Sequence, residues 1–224
     1  MSKIFCLSLQ RSGTKSFGQF AQNILGLNLC SWKESSSRDL SEHWYRRDLQ
    51  AIYSFIENEC FQAFEDSPWW HGDLYKFLPH RYPDAKFICL HRPAADWFGS
   101  MQRHSQDHLL GNTIRHCEIY QRSFELMQSR KQNKNFKQVS KTMRLSSSPQ
   151  LYLNYHFNYH SEMKAWFKFN NLSDRLFMHP LYSVDWNSVA NFTGIKPRQV
   201  IGDEYSGIFH KSNKKKAAKF SNPI

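Results

Sequence analysis

The chain has 224 residues, 40% of them hydrophobic and 16% aromatic, which is more apolar surface than a disordered chain carries and enough for one sizeable core. A formal net charge of +11, from 30 Lys and Arg against 19 Asp and Glu, calls for anionic partners: nucleotides, acidic glycans, nucleic acid or a membrane surface. No apolar run nears the roughly 18 residues that cross a bilayer, no signal-peptide core follows Met1, and five scattered cysteines suit a reducing compartment, so a cytoplasmic location is expected.

Ile4 to Leu9 is an apolar run of strand length, followed by the polar loop Gln10 to Ser16 and then by Phe17, Phe20, Ala21, Ile24 and Leu25 at helical spacing. A second helical pattern runs from Leu40 to Cys60, Phe61 to Phe64 reads as a short strand, and Ser67-Pro68 predicts a new helix. Lys86 to His91 is the next strand, with Pro93 opening the helix after it. Tyr152 to Phe169 predicts a helix, Arg175 to His179 a last strand, and Asp185 to Phe192 a helix closing at Gly194. Strands alternating with helices predict an α/β fold in three layers, a mostly parallel sheet of about five strands with helices on both faces. One domain is expected over residues 1–224, with a basic helical insertion around 110–150. Arg122 to Arg144 and the Lys211 to Lys219 tail, with five lysines and no acid, read as solvated or anion-facing segments.

Two loops carry chemistry. Between the first strand and its helix, Arg11-Ser12-Gly13-Thr14-Lys15-Ser16 brings backbone N–H groups, hydroxyls and cations to the positive end of a helix, which suits a phosphate. It is not a Walker A loop, because Ser8 stands where the first Gly belongs and Thr14 separates Gly13 from Lys15, which disfavours an ordinary ATPase. In the second unit, Arg92 ends a strand and Ser100 follows eight residues later inside the next helix, so the two can share one phosphate.

These two motifs together resemble the sulfotransferase family, whose first motif is a basic residue with Ser/Thr, Gly, Thr and Thr after strand one, and whose second is an Arg with a Ser eight residues on. Asp66-Ser67-Pro68, the His160 to Trp166-Phe167 helix, Asp185-Trp186 through Phe192-Thr193-Gly194-Ile195-Lys196-Pro197 and Ile208-Phe209-His210 to Asn213 are similar to the bacterial-type branch. The resemblance implies a P-loop NTPase-like fold and 3′-phosphoadenosine 5′-phosphosulfate as donor, with no metal required. It also implies that Arg11 to Ser16 cradle the 5′-phosphosulfate and that Arg11 steadies charge on the bridging oxygen. Arg92 and Ser100 would then hold the 3′-phosphate, and the run containing Lys214 and Lys215 would close over the nucleotide. Lys15 stands where the family carries Thr, so that position offers a charge in place of a hydroxyl.

Sulfuryl transfer to a hydroxyl or amine needs a base, and Asp66 is the first candidate, with Glu65 and His71 as alternatives. A capping role for Asp66 at Pro68 is the structural alternative. His156 and His160 lie four apart but have no third ligand of suitable spacing, and Trp44, Tyr45, Trp69, Trp70 and Trp97 read as core. A non-enzymatic nucleic-acid or nucleotide binder and a phosphoryl-transfer kinase are the rival functions. The first lacks any standard recognition motif, so no nucleic-acid partner is expected, and the second lacks a Walker loop.

Overall fold

The computed structural model describes residues 2–132, 139 and 142–198. Five short strands form one sheet: β1 (Ile4–Cys6), β2 (Leu29–Cys30), β3 (Ala63–Phe64), β4 (Lys86–His91) and β5 (Leu176–Pro180). Their order is β2-β3-β1-β4-β5 and every pairing is parallel, with Ile4 opposite both Ala63 and Lys86. Alternate residues go to opposite faces. Ile4, Cys6, Ile88 and Leu90 pack with Phe17, Phe20, Ile24, Trp186 and Val189 on one face. On the other, Phe5 stacks between Phe64 and Phe87 at 4.6 and 5.7 Å, and Trp69 meets Phe64 edge-on at 4.9 Å. Burial on both faces explains why the strands read as apolar runs without alternation.

The α/β class, the parallel sheet and its helical cover agree with the sequence expectation. β2 is the strand that expectation did not locate, because two residues carry no periodicity. The chain leaves β1 toward β2 on one flank of the sheet and leaves β4 toward β5 on the other. The β1/β4 boundary is therefore the topological switch point, beside which such sheets bind ligands at the carboxyl ends of their strands.

The chain divides into two compact units. The first runs to Trp70, resumes over Leu78–His91 and continues from Arg175, so it holds the whole sheet; the second comprises His71–Phe77 and Arg92–Asp174. In the first unit, α1 (Thr14–Gln19) runs into a π-helical turn at Phe20–Ile24, followed by α2 (Trp32–Ser37), α3 (Leu40–Tyr45) and α4 (Leu49–Asn58). The pattern from Leu40 to Cys60 predicts one helix. The structure breaks it because Arg47 is left-handed (φ 58°) and the Asp48 carboxylate accepts the Ala51 N–H at 3.1 Å, starting a new helix.

Pro68 likewise starts no helix. Residues 67–70 form a turn closed by the Trp69 N–H on the Asp66 carbonyl at 3.0 Å, and α5 begins only at Leu74 (Leu74–Arg81). Asp66 is left-handed (φ 68°) and leads into this turn, so it caps no helix at Pro68. At the start of β5, buried Arg175 donates to the carbonyls of Ala85, Pro79 and Tyr82 at 3.1, 3.3 and 2.6 Å.

The second unit is helical: α6 (Ala94–Ser105), α7 (Thr113–Ile119), α8 (Ser123–Gln132) and α9 (Pro149–Phe169). Helix α9 packs on α6 through Tyr152 against Phe98 and His156 against Trp97, with ring centroids 5.3 and 5.1 Å apart. Arg122, at the head of the basic stretch read as solvated or anion-facing, is instead 1% exposed and bonded to the Arg144 carbonyl and the Tyr152 hydroxyl. His156 and His160 are buried neighbours, the Nδ1 of His160 donating to the His156 carbonyl at 2.7 Å, and among the described residues no group of three or more His, Cys, Asp or Glu could hold a metal. Of the five aromatics read as core, Trp44, Trp69, Trp70 and Trp97 are buried, whereas Tyr45 is half-buried. Among the described residues no helix is long and apolar enough to cross a membrane, and the C-terminal lysine run lies outside them.

Candidate active site at the carboxyl edge of the sheet

The loop after β1 is pinned at its base and open at its tip. The Ser8 Oγ accepts the Leu90 N–H at 2.7 Å, which locks the loop to β4, and the Ser12 N–H turns back to the Leu9 carbonyl at 3.0 Å. Arg11 is left-handed (φ 67°), and so is Gly13 (φ 93°), the N-cap of α1. That backbone favours glycine, and a Cβ on Gly13 would in addition stand 2.6 Å from the Leu181 Cδ1 and have to push it aside. No side chain caps α1, which leaves the first amides of the helix aimed at the loop tip. Ser12 is fully buried, and its Oγ finds no hydrogen-bond partner among the described residues. Orphaned amides, a buried hydroxyl and a half-buried Arg11 in one turn make a fitting anion cradle. Ser16 is half-buried in the same turn and Lys15 is exposed.

The base candidates separate clearly. Glu65 follows β3 directly, its N–H bonded to the Cys30 carbonyl at 3.0 Å, and it is 7% exposed. Burial first, and the Asp66 charge second, push its carboxyl up to about 7; hydrogen bonds from the Trp32 N–H and the Thr14 hydroxyl act the other way. Its Oε2 atom is buried with no hydrogen-bond partner among the described residues. Asp66 is half-buried, with Oδ1 accepting the Ser67 N–H at 2.9 Å and the Trp70 Nε1 at 3.5 Å. His71 belongs to the second unit, and burial lowers its pKa to about 3.

Glu65 thus ties three segments of the first unit together: Thr14 from the loop after β1, Trp32 from the segment after β2, and its own position after β3. Sequence reasoning named Thr14 for another purpose and did not find Trp32 or Gly18. The bare Cα of Gly18 lets α1 approach Glu65, where a Cβ would meet the Glu65 Cγ at 3.1 Å. No local pattern signals either contact, since both depend on parallel strands bringing distant turns to one edge.

In the second unit, Arg92 directly follows β4 in the chain and Ser100 lies on the buried side of α6, 6% exposed, beside Trp97 and Met101. Ser100 stands about 9 Å along the helix from Ala94, at 1.5 Å per residue. Lys214 and Lys215, expected to close over a nucleotide, lie outside the described residues.

No curated protein matches the chain. A family model described as a sulfotransferase domain matches residues 3–197, which takes in the cradle, Glu65 and Arg92 with Ser100. A match of that extent, on a parallel sheet with an anion cradle after its central strand, means that the chain belongs to the sulfotransferase family.

Proposed function

We propose that the chain transfers the sulfuryl group of 3′-phosphoadenosine 5′-phosphosulfate to a hydroxyl or amine, with residues 1–224 working as one sulfotransferase domain. The observation that carries this is Glu65: a buried carboxyl lifted to about 7, its buried Oε2 without a hydrogen-bond partner among the described residues, beside the first residue of the helix that follows the anion cradle. A base held near neutrality can take a proton from an acceptor while staying ionised at working pH.

In this reading the amides at the start of α1 and the hydroxyls of Ser12, Thr14 and Ser16 hold the 5′-phosphosulfate. Arg11 opposes negative charge on the bridging oxygen as it develops. Arg92 and Ser100 take the 3′-phosphate, and Lys214 and Lys215 add charge to the nucleotide. The donor supplies the sulfuryl group. The acceptor oxygen or nitrogen bonds to sulfur as the bond from sulfur to the 5′-phosphate oxygen breaks. That oxygen keeps the electron pair, and the acceptor proton passes to the Glu65 Oε2. Products are the sulfate ester or sulfamate and adenosine 3′,5′-bisphosphate. Asp66, first in line from the sequence alone, supports the step through its charge, which keeps the Glu65 pKa raised.

The test is thermal unfolding with adenosine 3′,5′-bisphosphate and no magnesium. A ligand at 100 times its Kd adds about 2.7 kcal/mol of stability. The expected result is a clear upward shift in melting temperature that Arg92→Ala removes. A shift produced only by ATP with magnesium would overturn the donor assignment in favour of a kinase.

A further inference from the structure

Trp32 is 58% exposed, whereas five of the other six tryptophans (Trp44, Trp69, Trp70, Trp97 and Trp186) are 4% exposed or less. The fold gains little from an indole left in water, which leaves its ring available to a ligand. That position is specific. Parallel pairing of Cys30 with Phe64 brings the backbone N–H of Trp32 to face the carboxyl of Glu65, the proton acceptor of the proposed reaction.

The platform is also held still. Ser31 and Glu34 form a capping box at the start of α2, the Glu34 carboxylate accepting the Ser31 N–H at 2.9 Å and the Ser31 Oγ accepting the Lys33 N–H at 3.2 Å. One turn on, the Ser35 Oγ donates to the Ser67 carbonyl at 2.6 Å, tying α2 to the segment after β3. An exposed aromatic ring on a braced backbone presents a flat surface at low entropic cost.

Two cations neighbour these residues in the chain: Lys33 follows Trp32 and Lys15 follows Thr14, and both are exposed, with Lys33 also acting on the Glu34 carboxylate beside it. Lys15 is also the residue that replaces the family's usual Thr.

The geometry points to Trp32 as the surface on which the acceptor ring stacks, and to an anionic pyranose as that acceptor, its hydroxyl directed to Glu65 and its acidic group to Lys15 and Lys33. This rests on the sulfotransferase reading above. A pyranose lays its C–H face on the negative face of an indole and keeps its equatorial hydroxyls at the rim, within reach of a base. The two lysines then supply the field that draws in a charged sugar. A neutral phenol would stack on Trp32 equally well but would draw nothing from the charge of Lys15 and Lys33.

The experiment measures sulfuryl transfer from the labelled donor to an unsulfated tetrasaccharide of alternating glucuronic acid and N-acetylglucosamine, beside the neutral chitotetraose and 4-nitrophenol. Binding of adenosine 3′,5′-bisphosphate is titrated separately. The expected result is transfer to the acidic tetrasaccharide. Trp32→Ala should raise KM about tenfold with kcat within about twofold, Trp32→Phe should restore part of it, and Lys33→Ala should raise KM for the acidic sugar alone. Bisphosphate affinity should be the same in all of them. Wild-type protein that binds the bisphosphate but sulfates only the phenol, only the neutral sugar or none of the three overturns the proposal. So does an unchanged KM in Trp32→Ala. Wild-type protein that does not bind the bisphosphate refutes the sulfotransferase reading itself, a result that the separate titration distinguishes from failure of the acceptor assignment.

Discussion

Gly18 and Glu65 share one contact in which neither side has room to spare: a Cβ on Gly18 would lie 3.1 Å from the Glu65 Cγ and 3.1 Å from the Leu29 Cδ2. Gly18→Ala offers α1 roughly 1 kcal/mol of helix propensity and spends about as much or more on overpacking, so stability should change by no more than about 1 kcal/mol. The carboxylate must shift by a few tenths of an ångström, and proton transfer is sensitive to that. A kcat lowered at least about tenfold, with bisphosphate binding and melting temperature near wild type, is the expected outcome.

The raised pKa of Glu65 links activity to stability. Folding lifts the carboxyl from 4.5 to about 7, so between those values the folded protein holds a proton that the unfolded chain releases. The contribution of Glu65 is therefore most favourable below pH 4.5, declines as pH rises through 7, and levels off at a cost of about 3 kcal/mol. Glu65→Gln removes that cost and can still accept the Thr14 and Trp32 donors. It should be more stable than wild type at pH 8, equal to it near pH 4.5, and catalytically dead. The checking measurement is denaturant unfolding of both proteins across this range, where the difference between the curves isolates Glu65 from every other titrating group.

Asp66 adds to the lifting of that pKa through its charge. Asp66→Asn keeps an oxygen for the Ser67 N–H, 2.9 Å away, and removes the charge. Its pH–rate profile should keep its shape while the acidic limb moves to lower pH, with kcat at pH 8 within a few-fold of wild type. A loss as large as that of Glu65→Gln would make Asp66 the base.

The parts of this site that are legible in the sequence are those made by neighbours in the chain. Strand, glycine turn and helix follow one another within Ile4 to Gln19, and β4 with Pro93 and α6 does so again. Which of two adjacent acids is buried is not local. It depends on the left-handed Asp66, which sends the chain away after Glu65, and on Gly18, which clears a space on another element. Trp32 escapes notice for a related reason: it follows a two-residue strand with no pattern of its own, and parallel pairing of Cys30 with Phe64 brings it to Glu65. Arg122 shows the opposite error, a cation counted as solvated because its neighbours in sequence are basic, when its partners lie 3 to 30 residues away.

That arginine sets the stability of the second unit. Its side chain is fully buried and donates to the Glu125 Oε2 through Nε and Nη2 at 3.1 and 2.6 Å, to the Arg144 carbonyl and the Tyr152 hydroxyl through Nη1 at 2.8 and 2.7 Å, and to the Ser147 Oγ through Nη2 at 2.7 Å. Tyr152 bonds onward to the His116 Nε2 at 2.7 Å, and burial holds the pKa of His116 down to about 4, so the imidazole is neutral at pH 7. Arg122→Ala leaves the Tyr152 hydroxyl and the Glu125 carboxylate without their buried cation, while the Arg144 carbonyl keeps the Ser147 hydroxyl at 2.8 Å, and should cost about 3 kcal/mol. Glu125→Gln should cost far less, because that side chain is 36% exposed and an amide oxygen can still accept from the guanidinium. Tyr152→Phe belongs between the two, at about 1–2 kcal/mol. Equilibrium unfolding at pH 7 checks the ranking, and a cost for Arg122→Ala no larger than that for Glu125→Gln would mean that apolar packing around α9, rather than the guanidinium network, holds this unit together.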